Sequence, residues 1–233
     1  HIEQLKREVI RSEARKKEAD LRALQAQINP HFLYNTLSSI HWIALMSGER
    51  RIADMVEGLS DFLRISLNQG KDYCPVEQEV AHIRNYVRVQ SIRFPDKFTV
   101  EYFVDETLND KWMLKLLLQP LVENAFEHGL QRKEGRWKLE IRIKRIGKRI
   151  GIIIRDYGVG MSEERVGRLR GELLKTPPKH QKLSDHEFGK RKGIGLRNVN
   201  ARIKLQYGEK FGLRFFSQWG VGTMVIMTIP DRK

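Results

Sequence analysis

Leu118-Gln-Pro-Leu-Val-Glu-Asn-Ala-Phe-Glu-His-Gly129 is the stretch whose reading decides the fold. It lies in a leucine-rich run, 112–130, that reads as one helix. Glu123, Asn124, Glu127 and His128 interrupt its apolar character. Asn124 and His128 are four residues apart and share a face, as do Glu123 and Glu127. Polar groups buried without partners are costly, so this stripe is expected to line a site. Taken alone, a solvated helix face explains it equally well.

Downstream, strands are expected at about 137–145 and 149–156. The second ends in Asp156-Tyr-Gly158-Val-Gly160. Glycines directly after a strand permit tight turns and close ligand approach. A carboxylate at that strand end accepts hydrogen bonds from an amino group such as the adenine N6, although Asp-x-Gly-x-Gly by itself mostly marks a turn. There is no Walker A loop and no dinucleotide-binding fingerprint. Residues 161–192 are polar, basic and loop-like, either disordered or a functional lid. Gly193-Ile-Gly195-Leu196 then opens a helix, and helix N-terminal amides suit phosphates. Two strands close the chain, about 211–217 and 222–229, around Gly220-Val-Gly222-Thr223.

Upstream, Phe98, Val100, Tyr102 and Val104 alternate as in a strand. An amphipathic stretch runs from Val76 to Phe94 and stops at Pro95. Residues 50–69 carry helical spacing through Ile52, Val56, Leu59, Leu63 and Leu67, after a turn at Gly48. Before it comes Gln27-Ile-Asn-Pro30-His31-Phe-Leu-Tyr-Asn35. Pro30 either breaks a helix or starts a fresh one capped by Asn29. The apolar face then runs through Leu33, Leu37, Ile40 and Ala44, with His31 on the opposite side and Asn35 and Ser38 beside it. Imidazole is a nucleophile near neutral pH. On its own, the Pro-His pair reads more readily as a kink with a solvated side chain. Residues 2–28 lack Gly and Pro and read as a helix with a short, broken heptad seam. Two helices exposing long apolar stripes are marginal alone, and two copies make a four-helix bundle, so a homodimer is expected.

Bulk composition bounds the class. Forty-three Lys+Arg against 29 Asp+Glu give +14, which points to an anionic partner. The basic residues are scattered and carry no recognition motif, so nucleic acid is not expected. Cys74 is the single cysteine, which excludes an intrachain disulfide and points to a cytosolic setting. No apolar run reaches membrane-spanning length and no signal peptide is visible. The start at His1, inside a charged helical pattern, reads as a fragment missing an upstream part. His41 and His82 read as packed or half-exposed helix residues. His180 and His186 lack paired ligands for zinc.

The combination resembles the sensor histidine kinases of the LytS/YesM type from about Leu24 onward. Residues 27–37 match that family's phosphoacceptor segment. Residues 118–129 match the asparagine box of the ATP-binding fold shared with gyrase, MutL and heat-shock chaperones. Asp156-x-Gly158-x-Gly160, Gly193-x-Gly195-Leu196 and Gly222-Thr223 match its glycine boxes.

The resemblance implies an α+β chain: a helical hairpin forming a dimeric four-helix bundle, then a GHKL-type α/β sandwich holding ATP and Mg2+. The expected domains are 1–26 (signalling helix or coiled coil), 27–94 (dimerisation and phosphoacceptor) and 95–233 (ATP-binding, lid at 161–192). It further implies phosphorylation of His31 and transfer to a response-regulator aspartate. Asn124 would coordinate magnesium through the phosphates, and Asp156 would read adenine. Gly158, Gly160, Gly193 and Gly195 would shape the loops, with Leu196 in the same box. His128 and Lys192 would face phosphate, and Thr223 would support Asp156. In the commonest histidine kinases an acid follows the histidine; here Phe32 does. That leaves the base open, with Glu123 the first candidate and Glu127 the second, while Asn35 orients the ring or holds a water. The chain would be the cytoplasmic portion of a bacterial membrane sensor, attached through the missing upstream segment. A dimeric nucleotide-binding scaffold without kinase activity is the alternative.

Overall fold

The computed structural model describes residues 30–67, 72–129, 134–174 and 194–231. The helix and heptad seam expected over 2–28 lie outside them, as do Lys192, Gly193 and most of the expected lid. The chain divides into two compact units between Ser60 and Asp61.

In the first unit, α1 (Pro30–Met46) and α2 (Arg50–Leu67, which continues into the second unit) are joined at Gly48. Gly48 has φ +75°, a left-handed conformation suited to glycine at a helix end. Ala44, Ala53 and Val56 are buried, and His41 Nδ1 donates to the Ala53 carbonyl at 3.1 Å. Leu33 and Leu37 are half-buried, as expected of the inner face, but Ile40 is exposed. Phe32, Trp42, Ile43, Met46 and Ile52 are also exposed on the single chain.

The second unit is a two-layer α/β sandwich. Its sheet runs β2 (Phe98–Val104), β4 (Trp137–Ile146), β5 (Arg149–Asp156), β7 (Gly222–Pro230), β6 (Gly212–Gln218). β2 and β4 are parallel and the other pairs antiparallel. Alternation makes one face apolar: Leu139, Ile141 and Ile143 on β4 point inward, while Arg142 and Lys144 are exposed. Ile150, Ile152 and Ile154 on β5 and Val225, Met227 and Ile229 on β7 extend that face. Helices α3 (Val76–Arg93), α4 (Gln119–Gly129), α5 (Glu163–Leu174) and α6 (Ile194–Tyr207) contribute the other half of the core. Val76, Val80 and Ile83 of α3 belong to this core. The boundary expected at 94/95 therefore falls inside the unit.

Two expectations are corrected. Residues 112–130 are not one helix. Trp112–Leu114 form β3, paired antiparallel with β1 (Tyr73–Pro75), and α4 begins only at Gln119. Pro120 has no amide proton and fits only a first helical turn, while Leu116 adopts φ +57°. Met113 and Leu114 are buried in the core. Burial is worth about 2 kcal/mol per such side chain, against a few tenths for helix propensity, so tertiary packing wins. The expected lid also begins as structure: Glu163–Leu174 form α5. Val166, Leu169 and Leu173 give it an apolar stripe, and Ser162 Oγ accepts from the Arg165 amide at 3.4 Å. Gly167 and Gly171 mask that stripe in the sequence.

Glu79, on α3, holds the turn before α4. It is fully buried, and its two carboxylate oxygens accept from the amides of Leu118 and Leu116, each at 2.9 Å. Burial pushes its carboxyl above the usual range, against the pull of the Leu118, Leu116 and Leu117 amides and Arg202. Glu79→Ala would leave those amides without acceptors. We expect it to lower unfolding free energy by about 3 kcal/mol, read as a fall in denaturant midpoint at constant m-value. Glu79→Gln should cost less, since only one oxygen becomes a donor.

Candidate functional site

A cleft of about 420 Å3 lies between α4, α5, α6 and the ends of β5 and β7. Its apolar walls are Leu121 and Ala125 from α4, Ile154, Met161, Leu169 from α5, Leu196 from α6, and Val225. Asn124 and His128 project into it one turn apart on α4, as their spacing predicts. Asp156, Gly160 and Thr223 line it as well.

The Asp156 carboxylate is held in place by backbone donors. Its Oδ1 accepts from the Gly158 amide at 2.9 Å and the Thr223 amide at 3.3 Å. Thr223 thus reaches Asp156 through its main chain, and its hydroxyl instead pairs with Ser217 Oγ at 2.8 Å. Two glycines allow this closeness. A Cβ on Gly160 (φ +67°) would sit 1.9 Å from the Gln218 carbonyl oxygen. On Gly222 (φ +125°) it would sit 2.1 Å from the Asp156 carbonyl oxygen. Gly195, in the first turn of α6, leaves a gap of 3.0 Å between such a Cβ and Asn124 Nδ2. Of the expected residues, Asn124, His128, Asp156, Gly160, Leu196 and Thr223 are brought together around one cleft, with Gly158 and Gly195 adjoining it.

Glu123 faces a different environment on α4. Its Oε1 accepts from Gln119 Nε2 at 2.7 Å. Burial pushes its carboxyl above the usual range; the Gln119 hydrogen bond opposes this and the Glu127 charge adds to it. His31 and Asn35 lie in the first unit, both exposed, with Asn35 Nδ2 3.2 Å from His31 Nδ1. Arg165, Arg168 and Glu172 of α5 also line the cleft and were missed, because this segment reads as a loop. The Val166, Leu169, Leu173 spacing was the signal that could have placed them.

Chemically, the cleft offers a fixed carboxylate acceptor beside apolar walls that fit a flat ring. At the α4–α6 side it offers an amide, an imidazole and helix N-terminal backbone for anionic groups. Among the described residues no cluster of three or more His, Cys, Asp or Glu could hold a metal by itself. A hard divalent cation would therefore be carried mainly by ligand oxygens and water, with Asn124 supplying one protein oxygen.

The histidine kinase family profile matches residues 19–98, and that of the histidine kinase-, DNA gyrase B- and HSP90-like ATPases matches residues 109–233. The chain belongs to the sensor histidine kinases of the LytS/YesM type. It is 36% identical over 231 residues to the sensor histidine kinase YesM of Bacillus subtilis, covering 99% of this chain and 37% of that protein. The sensor histidine kinase YpdA of Escherichia coli is 34% identical over 216 residues, 92% of this chain and 35% of that one. The sensor protein LytS of Oceanobacillus iheyensis is 34% identical over 217 residues, 93% of this chain and 35% of that one. The chain thus spans little more than a third of the length of these relatives. Among the described residues no helix is long and apolar enough to cross a membrane.

Proposed function

We propose that this chain is the dimerisation and catalytic portion of an ATP-dependent protein-histidine kinase in a two-component system. One observation carries the reading: a single cleft joins a backbone-fixed Asp156 carboxylate to Asn124, His128 and the Gly195 turn. Asp156 accepts from the adenine amino group. The walls formed by Leu121, Ile154, Met161, Leu169 and Leu196 enclose the ring. Asn124 and His128 face the phosphates. Asn124 would hold a magnesium ion bound with the nucleotide, and that ion would supply charge neutralisation on the phosphates.

His31 is the phosphoacceptor. Asn35, whose amide lies 3.2 Å from Nδ1, orients the ring, and the lone pair of the unprotonated ring nitrogen attacks the γ-phosphorus. The bond to the bridging oxygen breaks and ADP leaves. The ring proton passes to a base, for which Glu123 is the first candidate because burial raises its proton affinity. The rest of catalysis is positioning and electrostatics. The phosphoryl group then passes to an aspartate of a response-regulator receiver domain.

Exposed Phe32, Trp42, Ile43 and Met46 support burial of α1 and α2 in a homodimeric bundle. The natural setting is the cytoplasmic side of a bacterial membrane sensor, with α1 and the start of α2 in the dimerisation and phosphoacceptor part and the α/β unit, α3 included, as the ATP-binding part. Incubating the full-length protein with γ-labelled ATP should give a base-stable, acid-labile label. Normal Mg-ATP binding with no such label would favour a nucleotide-binding scaffold.

A further inference from the structure

A second groove lies on the α/β unit and shares no lining residue with the nucleotide cleft. It has a volume of about 610 Å3 and runs along β6, the outer strand of the sheet. Alternation along β6 gives the groove two sides. Leu213 and Phe215 are buried towards the helices, and Arg214 and Phe216 are exposed on the open face of the sheet. On the helix side stand Leu173 and Arg170 of α5, with the Arg170 guanidinium 5.9 Å from the centre of the Phe215 ring. On the open face, Ile226 of β7 lies opposite Arg214. Each side therefore offers an apolar floor and a guanidinium.

The strand between them has an unused edge. The Leu213 amide donates to Asn200 Oδ1 at 2.9 Å, so it points away from β7. In an antiparallel ladder the residue two further on points the same way, so Phe215 turns its amide and carbonyl to the groove. No backbone hydrogen bond from another segment reaches Phe215 among the described residues. The charge is one-sided as well. Arg149, Arg170, Lys210 and Arg214 line the groove and are exposed, and none has a carboxylate partner among the described residues. Lys204 alone is paired there, with Glu209 at 3.1 Å. Cations clustered in a groove of this kind attract anionic groups.

We infer that this groove docks an extended, acidic segment of a partner protein, which adds as a further strand beside β6. Backbone pairing at Phe215 supplies affinity, and carboxylates on alternate sides of the segment meet Arg170 and Arg214. A second copy of this chain brings the same cations to the edge and is repelled. Residues 175–193 of this chain carry six Lys or Arg against two Asp or Glu, so they too have the wrong sign. Nucleic acid and anionic lipid match the charge, but neither carries the alternating N–H and C=O groups that a strand edge pairs with.

The probe is a fluorescein-labelled peptide of four Glu-Val repeats, titrated into the full-length protein and followed by anisotropy. We expect a Kd of about 10–100 μM at low ionic strength, weakened about tenfold in about 0.5 M salt. The double variant Arg170→Glu, Arg214→Glu should bind this peptide about tenfold less tightly and take up a Lys-Val peptide instead, which also shows that it is folded. Its affinity for Mg-ATP should stay within about threefold of the parent. A Glu-Val peptide N-methylated at every residue keeps its charge but cannot pair, and should bind about tenfold more weakly. Hydrogen exchange at the Phe215 amide should slow when the unmethylated peptide is added.

No saturable binding up to about 1 mM peptide, or equal binding by the double variant, would overturn the site. Equal binding of the N-methylated peptide would overturn strand addition. Duplex DNA or phosphatidylserine vesicles that bind more tightly than the peptide, and lose binding in the double variant, would overturn the peptide as occupant.

Discussion

His31→Gln is expected to reduce acid-labile labelling from γ-labelled ATP to background while Mg-ATP binding stays within about threefold of the parent. An imidazole nitrogen is nucleophilic near neutral pH and the glutamine amide nitrogen is not, because its lone pair is delocalised into the carbonyl. Loss of the acceptor leaves no substitute of that chemistry on the outer face of α1. Asn35, one turn on, is another amide. The side chain of His31 is exposed, so the substitution removes little packing, and stability should change by no more than about 0.5 kcal/mol. The nucleotide cleft is built from residues of the second unit and is untouched. Labelling by electrophoresis after acid and base treatment, beside a fluorescent-nucleotide titration, reads both halves. Persistent acid-labile label in the variant would place the phosphoacceptor elsewhere.

Asp156→Asn is expected to weaken nucleotide binding about 100-fold, about 2.8 kcal/mol at 1.4 kcal/mol per decade. The asparagine oxygen can keep the Gly158 and Thr223 amides, which both reach Oδ1 in the parent. Its nitrogen then occupies the other position and meets the adenine amino group donor to donor. A charge-assisted hydrogen bond is lost and an unpaired donor is left in its place. Because the backbone partners survive, thermal stability without nucleotide should hold. A calorimetric titration gives the Kd, and a Kd within threefold of the parent would remove Asp156 from adenine recognition. Guanine nucleotides offer a companion measurement, since their C6 oxygen accepts and would face the Asp156 carboxylate with like polarity.

Much of the α/β unit was legible in the chain. The four long strands of 137–156 and 211–230 fall within one or two residues of their expected ends. Alternating side chains and bounding glycines are local signals that no distant contact needs to supply. The Asp156 and Gly158 motif was likewise readable, since it rests on residue types at a turn. His31 facing outward beside Asn35 followed from helical periodicity alone.

Other features were invisible for a definite reason. Leucines 116–118 look helical, yet their amides are bound by Glu79, which lies 37 residues from Leu116 and 39 from Leu118. The α5 wall of the cleft was hidden because two glycines and many charges outweighed three apolar residues that only the core rewards. His82 was read as a packed helix residue, and its hydrogen bond to Gln119 spans 37 residues.

Sequence alone thus determined the order of the long strands and of most of the helices, the glycine turns and the residue types able to bind a nucleotide and accept a phosphoryl group. These depend on periodicity and side-chain chemistry, which are properties of neighbours in the chain. Tertiary structure decided where α4 begins, which helix walls the cleft and which buried groups face Glu123. Those outcomes depend on burying surface and satisfying polar groups across dozens of residues, energies of about 2–3 kcal/mol that exceed any local preference.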